Sequence, residues 1–161
     1  MDIQITPISD KDYDPIINGL NDWWGGRNMT DMLPRLFFKH FTGTSLIARS
    51  EELIAGFIIG FISQDNPELA YVHFIGVNPD FREQKLGKRL YDSFFKKVAK
   101  QGIQEVECVT SIDNKASIQF HRKMGFRIVP GSSEKKGISY TQDYDGPEEH
   151  RVVFRYHLEN Y

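Results

Sequence analysis

Residues Val72 to Leu90 constrain the chain more than any other stretch. Val72-His73-Phe74-Ile75-Gly76-Val77 is rich in β-branched and aromatic residues and reads as a strand. Pro79 ends it, because proline has no N–H to give to a ladder. Leu86, Leu90, Phe94 and Val98 then recur at every fourth residue, which is helical spacing. Between strand and helix lies a basic turn, Arg82-Glu83-Gln84-Lys85-Leu86-Gly87-Lys88. A helix that starts in such a turn presents backbone N–H groups with no intrahelical partner. That is a place for a phosphate.

The rest of the chain can be laid out around this unit. Ile3-Gln4-Ile5 alternates as a first strand. Asp10 is a candidate N-cap for a helix carrying Tyr13, Ile16, Ile17 and Leu20, which should end near Trp24-Gly25-Gly26. Leu33 to His40 reads as a short helix with Pro34 in its first turn. Ser45 to Ala48, the nearly continuous apolar run Leu53 to Ser63, and Ala70 to Val77 read as three strands with short links, hence an antiparallel meander. The long helix from Leu86 to Gln101 ends at Gly102. Val106 to Thr110 follows as a strand parallel to the one before the helix, a βαβ unit. Asp113 or Asn114 caps a helix to Met124, closed by Gly125. Phe126 to Val129 and Arg151 to His157 are the last strands, and Gly131 to Glu149 reads as a long loop. The expectation is one α/β domain over residues 1–161: a mixed, mostly antiparallel central sheet with helices on both faces.

Composition narrows the function classes. At 161 residues the chain can bury a real core. A net charge of −2 gives no global field that would recruit nucleic acid or an anionic membrane. No apolar run is long enough to span a bilayer. The start, Met1-Asp2-Ile3-Gln4-Ile5, lacks the basic and apolar regions of a signal peptide, so a cytoplasmic setting is expected. One cysteine, Cys108, allows neither an internal disulfide nor a multi-cysteine zinc site, and no metal is expected. Cys108 falls in a strand and reads as a small buried apolar residue.

Two segments carry a resemblance. Val77-Asn78-Pro79-Asp80-Phe81-Arg82-Glu83-Gln84-Lys85-Leu86-Gly87-Lys88 resembles the acyl-CoA signature of the GCN5-related N-acetyltransferases (GNAT), Arg/Gln-x-x-Gly-x-Gly/Ala after a strand. Arg82 and Gly87 match, whereas Lys85 stands where the first glycine is expected. Asn114-Lys115-Ala116-Ser117-Ile118-Gln119-Phe120-His121-Arg122-Lys123-Met124-Gly125-Phe126 is similar to the family's second segment. The strand order is also that of the family, so the resemblance covers nearly the whole chain. It implies acetyl-CoA as acyl donor.

Coenzyme A carries a pyrophosphate, which can lie on the N–H groups of Glu83, Gln84, Lys85, Leu86, Gly87 and Lys88. The Lys85 ammonium adds favourable charge; apart from the resemblance Arg82, Lys85, Lys88 and Arg89 read as a solvated helix face. The resemblance further implies that Ile75, Gly76 and Val77 pair with the donor's amide arm, and that an N–H near Ile75 polarises the thioester carbonyl. It assigns a cofactor contact to Asn114, which is also a plain N-cap candidate. His121 takes the position of the family's usual tyrosine acid, so it is expected to protonate the leaving thiolate or else to pack against the sheet. His73 is the candidate base, directly or through water, or a satisfied sheet histidine. In a regular strand Tyr71, His73 and Ile75 share a face, and Tyr71 would shape the substrate pocket.

Family acceptor pockets are built by the first helices and the loop before the last strand. Trp23 and Trp24 could wall such a pocket and Arg27 could clamp a carboxylate. Asp143, Asp145, Glu148 and Glu149 would favour an amine. Core packing for the tryptophans and solvation for the acids are the other readings. The function expected is direct acetyl transfer in a ternary complex to a primary amine of a small molecule or peptide. Oligomeric state, homodimer included, stays open. The rival is an acyl-CoA-binding module of the same fold without turnover; a P-loop reading fails, because Gly87-Lys88 is followed by Arg89 where a serine or threonine is required.

Overall fold

The computed structural model describes residues 2–159 and 161; Met1, the first residue of the opening stretch read above, lies outside them. The first elements are strand Gln4–Pro7 (β1), a 3-10 turn at Asp10–Asp12 and helix Tyr13–Trp23 (α1). A 3-10 turn at Thr30–Met32 precedes the short helix Leu36–His40 (α2). Strands Leu46–Ser50 (β2), Leu53–Ile62 (β3) and Leu69–Val77 (β4) follow, then the 3-10 segment Pro79–Gln84 and helix Leu86–Ala99 (α3). Glu105–Ser111 (β5) leads into helix Lys115–Met124 (α4). The remaining strands are Arg127–Ile128 (β6), Ser133–Lys135 (β7), Ile138–Tyr140 (β8) and Arg151–His157 (β9).

Three local expectations change. Asp10 does not cap α1: Ser9 caps the 3-10 turn, its N–H donating to Asp12 Oδ2 at 2.8 Å, and Asp12 takes the cap position of α1. Leu33 stays out of α2, at φ −131° and ψ 63°, because the residue before a proline is pushed away from helical backbone. The polar stretch after Gly131 holds a hairpin, β7 against β8. Its two-residue turn, Lys136-Gly137, has φ of 50° and 82°, the paired positive values that tight hairpins use.

Seven strands form one sheet in the order β1-β2-β3-β4-β5-β9-β6. Every neighbouring pair is antiparallel except β4 and β5, which are parallel across the α3 crossover. Helices cover both faces. On one face α3 buries Leu86, Leu90, Tyr91, Phe94, Phe95 and Val98 with Ile118 of α4 against Ile58, Val72 and Phe154. Each such side chain stabilises the fold by roughly 1.5–3 kcal/mol when fully removed from water. On the other face Ile16 and Leu20 of α1, Leu33 and Phe38 pack on Phe57, Ile59 and Phe74.

Candidate active site

The site begins where β4 and β5 part. They pair only over Leu69–Tyr71 and Glu105–Glu107. Beyond that, β4 runs on to Val77 held by β3, and β5 to Ser111 held by β9. The edges that face each other there carry backbone N–H and C=O groups with no ladder between them. The parallel pair is thus wedged open at its carboxyl end, and α3 and α4 both start at that end. In open α/β sheets this crevice is where ligands bind.

His73 stands at the mouth of the wedge, and the sheet does not count it. Ile59 pairs with Phe74 and the next residue, Gly60, pairs with Val72, so His73 is the extra residue of a β-bulge. The bulge changes which side chains share a face. Ile75 and Val77 pack with the α3 core, while Phe74 packs with the α1–α2 core. Tyr71 lies against Phe61 and His73 against Phe37. Ile75 is therefore not on the face of Tyr71 and His73, contrary to a regular alternation. The His73 ring stacks on Phe37 at 4.2 Å and 12°. Its Nε2 lies 2.6 Å from the Met32 carbonyl oxygen. A carbonyl only accepts, so Nε2 carries the proton and Nδ1 holds the lone pair. Burial lowers the His73 pKa below the ordinary value, against the opposing pull of the Met32 hydrogen bond and of Asp145. A neutral imidazole with an uncommitted nitrogen is the form a base requires.

The β4–α3 turn explains the departure at Lys85. Asn78 starts the 3-10 segment by accepting from the Asp80 N–H. Lys85 then adopts φ 53° and ψ 34° before α3 begins. That left-handed backbone costs an L-residue about 1–2 kcal/mol and glycine almost nothing. Lys85 thus takes up the conformation a glycine would supply, and its exposed side chain leaves the turn open. Arg82, Glu83, Gln84 and Lys88 are also exposed, and Leu86 is buried. Lys88 Nζ reaches Asp92 at 3.0 Å. Gly87 answers to packing as much as to any ligand: a Cβ there would stand 3.0 Å from Phe120 Cζ. Asn114 caps α4, its Oδ1 accepting from the Ser117 N–H at 3.1 Å, and its amide NH2 has no hydrogen bond among the described residues.

His121 is not placed as an acid. It is 5% exposed and its ring stacks on Phe154. Nδ1 lies 2.8 Å from the Ser117 carbonyl oxygen and so carries the proton. Nε2, 2.7 Å from the Tyr91 hydroxyl, accepts from it. Burial lowers the His121 pKa, so the ring stays neutral with its one N–H already used. Tyr91 is fully buried, and burial raises its pKa. Burial also pushes the neighbouring Cys108 thiol up to about 12, which makes it inert.

The residues expected on the acceptor side come from distant pieces of the chain. Trp24 meets Phe74 edge-on at 5.5 Å and Trp23 lies 6.0 Å from Phe57. Both indoles are half-buried, packed on the α1–α2 core and still reachable. Gly76 makes room for them: a Cβ there would stand 2.8 Å from Phe57 and 3.2 Å from Trp24. Arg82, expected only at the phosphate, donates from Nη2 to the Trp23 carbonyl oxygen at 2.8 Å. Arg27 is exposed. In the loop before β9, Arg151 holds Asp145 at 2.8 Å and Glu149 at 3.1 Å, so these acids arrive partly neutralised. Asp143 Oδ1 accepts from the Glu148 N–H. Asp145 still lies close enough to act on both His73 and Tyr71, and burial raises the Tyr71 pKa. Phe37 and the Met32 carbonyl, which orient His73, had no local signature in sequence.

With this geometry in view, the comparisons are direct. The model of the acetyltransferase (GNAT) family matches residues 13–126. The chain belongs to that family. An L-2,4-diaminobutyric acid acetyltransferase of Streptomyces coelicolor is 30% identical over 127 residues, 74% of this chain and 72% of that protein. One from Nocardia farcinica is 31% identical over 83 residues, 52% of this chain and 43% of its own length; the chain spans under half of that relative. Among solved structures, diaminobutyrate acetyltransferase EctA from Paenibacillus lautus, in complex with L-2,4-diaminobutyric acid and coenzyme A, matches with a TM-score of 0.66. It covers 95% of this chain and 94% of its own at 21% identity, a likeness that speaks to the fold alone.

Proposed function

We propose that the protein is an acetyl-CoA-dependent N-acetyltransferase whose acceptor is the primary amine of a small, amino-acid-like molecule. The observation that carries this is the bulged His73, neutral and with Nδ1 unpartnered among the described residues, at the mouth of the β4–β5 wedge. Bound in the wedge, acetyl-CoA would supply an acetyl group activated as a thioester. The residues present suit it: the first-turn N–H groups of α3 with Arg82, Lys85 and Lys88 for the phosphates, and the unpaired β4 edge near Ile75, Gly76 and Val77 for the amide arm. The Ile75 N–H would polarise the acyl carbonyl. His73 would take the amine proton through Nδ1, directly or through one water. His121 enters this reading as a core residue that orients α4, not as an acid.

Trp23, Trp24 and Tyr71 would wall the acceptor, with Arg27 free for a carboxylate and Asp145 biasing the site toward an amine. The diaminobutyric acid acetyltransferases among the relatives support a small diamino acid, so L-2,4-diaminobutyric acid is the first acceptor to test. A cytoplasmic setting belongs to the same proposal, since the one cysteine is a buried free thiol. The test is thiol release from acetyl-CoA across a panel of small amines, diamino acids and peptide N-termini. Acceptor-dependent release with a small amine is the expected result. Coenzyme binding without release across the panel would instead mark a binding module.

A further inference from the structure

One side chain belongs to both halves of the site. Arg82 lies in the turn that leads into α3, and its Nη2 donates to the carbonyl of Trp23, the last residue of α1. A guanidinium at a helix C-terminus meets the negative end of the macrodipole and a carbonyl with no intrahelical donor. Only that one hydrogen bond of Arg82 is seen among the described residues. A guanidinium has five N–H donors in a planar fork, and this one is exposed. Just past the anchor, Trp24 lies against Phe74 and the space over Gly76, on the strand that borders the wedge. Gly25 and Gly26 then turn the chain away at φ 64° and 88°.

We propose that Arg82 is a clamp between the two substrates: its fork holds the end of α1 on one edge and the donor's phosphates on the other. Donor binding and the ordering of the Trp23–Trp24 wall are then one coupled event. This rests on the reading of the β4–α3 turn as the donor's phosphate site. Coupling of this kind is reciprocal, so an acceptor that orders the wall tightens the donor by the same factor. Arg82 is a positioning residue for the acceptor, acting through the α1 end it restrains. Lysine cannot replace it, because an ammonium offers a point charge where two edges of a fork are needed.

The chain's own composition supplies the probe. Its two tryptophans are Trp23 and Trp24, so indole emission reports this wall alone. Coenzyme A is titrated into the full chain, with affinity read by calorimetry and the wall read by indole emission and acrylamide quenching. In the parent protein the emission shifts and quenching falls along the same isotherm as binding. Arg82→Lys keeps coenzyme A affinity within about tenfold, because the charge remains, yet loses the indole response at saturation. Lys88→Gln, which removes a phosphate charge and the ion pair to Asp92 but leaves the contact of Arg82 with α1 in place, weakens binding and keeps the full response at saturation. Parent binding with no indole change would overturn the clamp and leave the phosphate assignment standing. A full response in Arg82→Lys would overturn it equally. No binding of coenzyme A to the parent would remove the phosphate assignment and the clamp with it.

Discussion

His73 and His121 lie on opposite faces of the central sheet and look alike at first. Each gives one ring N–H to a backbone carbonyl, at 2.6 Å and 2.8 Å. Each stacks on a phenylalanine, and burial lowers the pKa of each. They part at the second nitrogen. His121 Nε2 is occupied by the Tyr91 hydroxyl inside the α3–α4 core. His73 Nδ1 is uncommitted on a half-buried ring beside an open wedge. A depressed pKa therefore does not mark a base by itself. It is useful only where a lone pair faces a place that substrate can reach. The α3–α4 face uses its histidine to finish a core, and the α1–α2 face holds the one proposed to take a proton.

The largest effect should come from removing that ready nitrogen. His73→Gln should lower kcat by about 10²- to 10⁴-fold while calorimetry finds coenzyme A affinity unchanged. His121→Gln, which can still accept from Tyr91, should keep kcat near the parent value; an equal collapse in both variants would erase the distinction. Next is Gly87→Asp, which sets a carboxylate and its bulk against Phe120 and the phosphate turn. Coenzyme A affinity should fall by about 100-fold or more, counting the lost charge-assisted contacts. Parent-like affinity would remove the turn from the donor site.

His121→Phe should act on stability. It leaves the buried Tyr91 hydroxyl with only the weak acceptor Cys108 Sγ at 3.8 Å, a loss of about 1–3 kcal/mol in denaturant unfolding. Adding Tyr91→Phe should recover part of that, because the two residues share one hydrogen bond. The pH dependence has a definite sign. The folded pKa of His121 lies below 6.5, so below that pH the unfolded chain takes up the proton first. The stabilisation is complete above about pH 6.5 and is lost as pH falls toward the folded value. His121→Phe should flatten this acid limb; an unchanged slope would mean that other groups set it. The smallest effect is a gain. Lys85→Gly relieves the left-handed backbone against a more flexible unfolded chain, for a net gain of up to about 1 kcal/mol. A loss of stability would show that the lysine side chain contributes more than its backbone costs.

Much of this was legible from local chemistry. Pro79, Gly102, Gly125 and the fourfold spacing from Leu86 placed the βαβ unit, and Asn114 was identifiable as a cap. The hairpin of β7 and β8 escaped because its strands are only three residues each, too short to show an alternation, and its turn is Lys136-Gly137, where Asn-Gly would have announced it. The bulge was invisible for a deeper reason. A period of two in one strand says nothing about the register of its partner, and the extra residue exists only relative to β3. The Arg82–Trp23 contact spans 59 residues, and no pattern in either segment encodes it. The partner of His121 was hidden in the same way: Tyr91 lies on another helix, and nothing within α4 encodes their hydrogen bond.

The bulge has a consequence for how such a site can vary. If His73 is struck from β4, the pairs on either side already match, Val72 with Gly60 and Phe74 with Ile59. The faces also alternate without a break, from Val72 to Phe74 to Ile75. The proposed base is a supernumerary residue, one the ladder neither pairs nor needs. Its side chain can be exchanged with little toll on the sheet, so chemistry at this point is free to drift while the architecture is inherited intact.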